Sequence, residues 1–181
     1  AYSPSQGILP LREEFVKYYR KFGIDLTPDE IIVTSGGSEA LLATFLTCFD
    51  PGDEVIITEP GYANYIGFAK ATGLIIKPVT SRIEDKFALP SAEDFRKAIT
   101  PKTKAILICN PNNPTGALNP VEEIDAFLAK VPKDVIVLID EAYIEFADGN
   151  QTAVGLLSKY DNAAVMRTFS KIYGLANYRV G

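Results

Sequence analysis

Near the end of the chain, Arg167-Thr168-Phe169-Ser170-Lys171 carries two hydroxyls and a lysine, and Gly174-Leu175-Ala176 and Arg179 follow. In one pocket, Lys171 would serve as an amine nucleophile while Thr168, Ser170 and Arg179 hold a phosphate. A lone lysine after a strand is ordinarily a solvated side chain, so a plain alternative stands beside this one. Asp140-Glu141-Ala142-Tyr143 closes the apolar run Val135-Ile136-Val137-Leu138-Ile139. A carboxylate there is partly desolvated and needs a partner such as a protonated ring nitrogen; a helix N-cap or a surface ion pair would also satisfy it. Asn113 lies in Asn110-Pro111-Asn112-Asn113-Pro114-Thr115-Gly116, where a stiff backbone presents an amide that can donate to a phenolate-like oxygen or form a simple Asx-turn. Thr34-Ser35-Gly36-Gly37-Ser38-Glu39-Ala40 puts glycines and free amides at a helix start, which suits a phosphate and equally an ordinary capped turn.

These groups need elements to hold them. Short β-branched runs alternate with longer helical patterns, the signature of an α/β domain with a mostly parallel sheet. Strands are expected at residues 31–35, 54–58, 74–79, 104–109, 135–140 and 164–168. Helices are expected at 9–22, 38–48, 62–72, 91–99, 120–131 and 152–160, several opened by a capping Ser, Asn or Thr. Pro51-Gly52-Asp53 and Pro132-Lys133-Asp134 mark returns from helix to strand. The Asn/Pro loop follows a strand directly, at the carboxyl end of the sheet where open α/β folds bind ligands. The whole reads as one wound domain.

The chain has 181 residues, 47% hydrophobic, enough for one domain with a buried core. A net charge of −5 with interleaved signs argues against a nucleic-acid surface and for a small-molecule partner. No apolar run approaches the roughly 20 residues of a membrane span, and no secretory pattern opens the chain, so neither a membrane nor an export role is expected and the location reads as cytoplasmic. There is no histidine, and the two cysteines, Cys48 and Cys109, sit among apolar neighbours, so no metal is expected and Ser-His-Asp hydrolysis is excluded.

Taken in order, these features resemble the class I/II aminotransferases of fold type I. The pattern comprises the glycine-rich turn, an aromatic after Glu59-Pro60-Gly61, Asn113-Pro114-Thr115-Gly116, Asp140-x-Ala142-Tyr143, Ser170-Lys171 and Arg179, opened by Tyr2-x-Pro4-x-x-Gly7 and Leu11-Arg12. The resemblance implies a three-layer α/β/α domain that binds pyridoxal 5′-phosphate and transfers an amino group between an amino acid and a 2-oxo acid. It implies that Lys171 forms the Schiff base and carries the proton, that Asp140 pairs with the pyridinium nitrogen, and that Asn113 and Tyr143 donate to the phenolic oxygen. Tyr62 would stack on the ring. Gly36, Gly37, Ser38, Thr168, Ser170 and Arg179 would hold the phosphate, and Tyr2 would reach the phosphate of a neighbouring subunit in a homodimer.

The resemblance also implies a large domain that is incomplete here. The family's domain continues beyond the Arg-x-Gly of Arg179 to Gly181 with one more strand, and a C-terminal domain supplies the arginine for the substrate's α-carboxylate. The isolated chain is therefore expected to bind the cofactor weakly or transaminate poorly. Residues up to Gly116 resemble aspartate aminotransferases, whereas residues from Asp140 onward resemble histidinol-phosphate aminotransferases. The same scaffold serves β-lyases and decarboxylases, and some non-catalytic modules use it to sense the cofactor or amino acids.

Overall fold

The structure, a computed structural model, describes residues 2–180; Ala1 and Gly181, the glycine of the Arg-x-Gly ending, lie outside them. The chain divides into two compact units, Ala1–Ala40 with Thr168–Gly181, and Leu41–Arg167.

In the smaller unit, α1 (Leu9–Arg20) begins with proline in its first turn and ends with Lys17 and Arg20, where cations complement the helix dipole. Its buried residues Phe15 and Val16 form a small core with Ile31, joined by Val33, Phe169 and Val180. Phe169 stacks on Phe15 at 5.3 Å between centroids and tilts against Tyr18 at 5.1 Å. One aromatic ring thus anchors the 168–171 segment to α1. The entry segment is held by Arg12, whose Nη1 donates to Pro28 O at 2.6 Å and whose Nε donates to Gly7 O at 3.2 Å. Gly7 has φ +96°, and a Cβ there would meet Val33 Cγ2 at 2.7 Å, so a side chain is excluded.

Residues 31–35 do not form the expected strand. Their backbone makes an antiparallel bridge from Ser35 to Val180 and a bond from Val33 N to Gln6 O at 2.9 Å. β-branched residues favour extended backbone, but a strand needs a ladder partner, and among the described residues none pairs along this segment.

α2 (Gly37–Cys48) starts beside that bridge and runs into the larger unit. There, β1 (Glu54–Glu59), α3 (Asn64–Ala71), β2 (Ile75–Thr80), α4 (Ala92–Ala98), β3 (Thr103–Cys109), α5 (Val121–Leu128), β4 (Ile136–Asp140) and β5 (Ala163–Met166) follow. All pairs in the sheet are parallel, in the order β2-β1-β3-β4-β5. The five strands at the sheet's core match the expected runs to within two residues.

Alternate residues of each strand feed opposite faces. Val55, Ile57, Ala105, Leu107 and Leu138 pack under α2 and α3 against Leu41, Phe45, Tyr65 and Ala69. Ile56, Ile106, Ile108, Val137 and Ile139 pack on the other face against Phe95 of α4 and Ile124, Phe127 and Leu128 of α5. This is a three-layer α/β/α arrangement, with the central strands β1, β3 and β4 apolar on both sides as a covered parallel sheet requires. The helix expected at 152–160 is a 3-10 helix, Ala153–Ser158, capped by Thr152 Oγ1. Gly155 and the β-branched Thr152 and Val154 weaken an α-helix of this length. Among the described residues no helix is long and apolar enough to cross a membrane.

Beyond the carboxyl ends of β4 and β5 lies a buried ion pair. Glu141, 1% exposed, accepts from Arg167 Nη2 at 2.9 Å and Nε at 3.1 Å, from Thr152 Oγ1 at 2.8 Å and from Ala153 N at 2.5 Å. Removing Arg167 would strand this carboxylate in the interior. Arg167→Ala should therefore lose about 3–5 kcal/mol in urea unfolding, and Glu141→Leu combined with Arg167→Met should lose clearly less. The two thiols offer a second check. Cys48 is exposed, whereas burial, aided by the Asp140 charge, pushes the thiol of Cys109 up to about 12. Its thiolate fraction at pH 8 is about 10³-fold below that of an ordinary thiol. A disulfide-exchange reagent should label Cys48 alone in the folded chain and both thiols in urea.

Candidate functional site

The strand register places the chemistry at one edge of the sheet. Cys109 pairs with Asp140, and Asp140 with Met166, so β3, β4 and β5 end together, and the loop from Asn110 leaves at this edge. Two asparagines of that loop are structural. Asn110 is buried, donating through Nδ2 to Asn119 O at 2.9 Å and accepting from Asn119 N at 2.8 Å. Asn112 Oδ1 accepts from Thr115 N and Oγ1, and its Nδ2 donates to Pro60 O at 3.1 Å. With its neighbours so engaged, Asn113 presents its amide outward, and its Nδ2 donates to the Tyr143 hydroxyl at 3.3 Å. The loop, Tyr143 and Phe146 border a cleft of about 560 Å³.

Asp140 ends β4 half-buried and is held at both oxygens. The Ala142 amide donates to Oδ1 at 2.9 Å, and the Tyr65 hydroxyl donates to Oδ2 at 2.5 Å. The Ala142 contact closes the tight turn after the strand, the ordinary role of an aspartate at such a place. The Tyr65 contact crosses from α3. Tyr65 is 2% exposed, and burial, with the Asp140 charge next, drives its hydroxyl's pKa far upward, so it remains a proton donor at any working pH. Tyr62, one turn earlier, meets Tyr65 edge to face at 5.4 Å and accepts from Asn64 Nδ2 at 2.7 Å. The larger unit therefore joins Asn113 to Tyr143, and Asp140 through Tyr65 to Tyr62.

The other expected residues belong to the smaller unit. Gly36 takes φ +77° just before α2, and Glu39 N makes the first intrahelical bond to Gly36 O at 3.2 Å, after the amides of Gly37 and Ser38. Arg179 lies against this turn. Its Nη2 donates to Ser35 O at 3.3 Å, and a Cβ on residue 36 would come within 2.6 Å of Nη2. A glycine at 36 is what lets a guanidinium approach the helix start this closely. Thr168 Oγ1 donates to Ser170 Oγ at 2.9 Å and accepts from Ser170 N at 3.1 Å. Lys171 follows with an exposed side chain, and Tyr2 is fully exposed.

Four side chains that shape these groups have no role that a motif suggests. Tyr65 carried a faint signal, its spacing of one helical turn from Tyr62. Phe169 lay inside the quoted motif, but nothing in its neighbours announced that it docks on α1. Glu141 and Arg167 also lay inside quoted motifs, and their pairing across two strands has no local trace.

Known proteins share this architecture. The family model described as aminotransferase class I and II matches residues 1–181. A histidinol-phosphate aminotransferase of Lactiplantibacillus plantarum is 42% identical over 163 residues, covering 88% of this chain and 44% of that protein. An aspartate/prephenate aminotransferase of Thermus thermophilus is 36% identical over 184 residues, covering 99% and 47%. Among solved structures, a double mutant of Thermus thermophilus aspartate aminotransferase superposes with a TM-score of 0.88 at 34% identity, covering 100% of this chain and 48% of that one. An alanine aminotransferase of Pyrococcus furiosus gives 0.87 at 36% identity, covering 100% and 47%. The chain spans about half the length of the curated relatives it matches. Members of the family use pyridoxal phosphate. By sequence along its whole length and by fold, the chain belongs to the class I and II aminotransferases.

Proposed function

We propose that the chain carries the pyridoxal-phosphate-binding part of an enzyme that moves an amino group between an amino acid and a 2-oxo acid. The observation that supports it best is the exit of β4: a carboxylate pinned at both oxygens, with an amide and a phenol meeting at 3.3 Å after it. The donor sets suit the cofactor. In the smaller unit, a helix start, two hydroxyls and a guanidinium packed on Gly36 suit a phosphate dianion. In the larger unit, a carboxylate suits a ring cation, and two neutral donors suit a phenolate.

Bound, the cofactor supplies an electron-accepting ring and an aldehyde carbon that takes the amino group. Asp140 pairs its negative charge with the ring nitrogen and keeps a proton there. Asn113 Nδ2 and the Tyr143 hydroxyl stabilise the anionic phenolic oxygen, and Tyr62 covers a ring face. Gly36, Gly37, Ser38, Thr168, Ser170 and Arg179 hold the phosphate. Lys171 Nζ would hold the cofactor and, once a substrate amine takes its place, would be free to accept the proton from the substrate's Cα. Tyr2 reaches the phosphate in the partner of a homodimer, and the enzyme works in the cytoplasm. The relatives' names span histidinol phosphate, aspartate and prephenate, which sets the range of substrates to try.

A single-turnover assay tests this directly. Mixed with pyridoxal phosphate and one amino donor at a time, drawn from histidinol phosphate, aspartate and aromatic amino acids, the chain should yield the matching oxo product and the amine form of the cofactor in equal amounts. Release of carbon dioxide or of pyruvate with ammonia would instead mark a decarboxylase or β-lyase. Asp140→Asn should slow the half-reaction by about 10²–10³-fold while the melting temperature stays near that of the parent chain.

A further inference from the structure

Asp140 is held by a side chain that no motif of the family reading contains. The Tyr65 hydroxyl reaches Oδ2 at 2.5 Å from α3, while the backbone amide of Ala142 takes Oδ1 at 2.9 Å. The tyrosine ring is buried in the core beneath α2 and α3, between Leu41, Phe45 and Ala69, and cannot swing away without opening that core. Tyr62 braces it edge to face. Among the titratable groups near Asp140 are Tyr65 of α3, which donates to it, and Cys109 of β3, its register partner. Both stay protonated at working pH, since burial raises each. Neither group brings a charge of its own to the carboxylate, and Tyr65 donates to it.

We propose that Tyr65 is a positioning residue of the cofactor site, whose hydroxyl keeps the Asp140 carboxylate ionised and fixes its direction. This rests on the reading of Asp140 as the partner of the ring nitrogen. A hydrogen bond donated to a carboxylate stabilises its charged form and lowers its basicity. A less basic carboxylate leaves a shared proton on the ring nitrogen, where it makes the ring an electron acceptor. Without the hydroxyl, the proton shifts toward Asp140.

The test begins on the cofactor-free chain, where Asp140, carbon-13 labelled at its carboxyl, is titrated by NMR in the parent chain and in Tyr65→Phe. Phenylalanine keeps the ring in the core and deletes only the hydroxyl. The Asp140 midpoint should rise, its proton affinity growing about tenfold. An unchanged midpoint overturns the proposal. Should Tyr65→Phe fold poorly, replacing Tyr65 by 3-fluorotyrosine, a stronger donor, should lower the midpoint; no movement there has the same adverse meaning. In the second stage, nitrogen-15 pyridoxal phosphate is bound to the parent chain, to Asp140→Asn and to Tyr65→Phe. The ring-nitrogen signal should read protonated in the parent chain and neutral in Asp140→Asn, with Tyr65→Phe between. A signal that moves with Asp140→Asn but not with Tyr65→Phe overturns the role of Tyr65 alone. Failure of the parent chain to bind the cofactor, or no response to Asp140→Asn, overturns the functional reading and this proposal with it.

Discussion

A charge held at the end of an apolar strand is the constraint on which the larger unit turns. Ile136 to Ile139 is buried or half-buried along its length, and the strand ends in Asp140. Taking a carboxylate this far from water is unfavourable unless donors reach it. The sheet register puts Cys109 beside it, the turn brings the Ala142 amide to one oxygen, and α3 is packed so that Tyr65 reaches the other. The next residue, Glu141, repeats the problem on the other side of the chain and solves it with Arg167 and Thr152. Two adjacent carboxylates, one held by Tyr65 and the Ala142 amide and one by Arg167 and Thr152, make the exit of β4 stiff.

The smaller unit holds the start of α2, a guanidinium and a pair of hydroxyls in defined places. Gly36 leaves room for the Arg179 guanidinium at the start of α2, and the Thr168–Ser170 hydroxyl pair is held in place because Phe169 between them is stacked on Phe15. This is a preorganised arrangement, and it explains how a segment with largely exposed neighbours keeps a defined shape.

Much of the fold was legible in the sequence because a parallel sheet covered on both faces needs apolar β-branched runs; three such runs became β1, β3 and β4, and shorter or mixed ones became β2 and β5. Residues 31–35 have the same composition and failed, because pairing is a long-range property that composition does not carry. Residues 152–160 failed for a local reason, a glycine and two β-branched residues in a short helical pattern. Of the candidate site, the residues presented by turns and loops were readable, since Gly, Pro and Asn mark special backbone. Their supports were not. Tyr65, Phe169 and Arg167 look like ordinary core or surface residues until the fold sets them against Asp140, Phe15 and Glu141.

The assignment of Lys171 as the residue that carries pyridoxal phosphate is tested by covalent trapping. The chain is incubated with pyridoxal phosphate, reduced with borohydride to make any carbon–nitrogen link permanent, digested and mapped by mass spectrometry. One modified peptide is expected, carrying the cofactor on Lys171, with a marked loss of labelling in Asp140→Asn. Labelling spread over exposed lysines, or concentrated on a lysine other than Lys171, would contradict it.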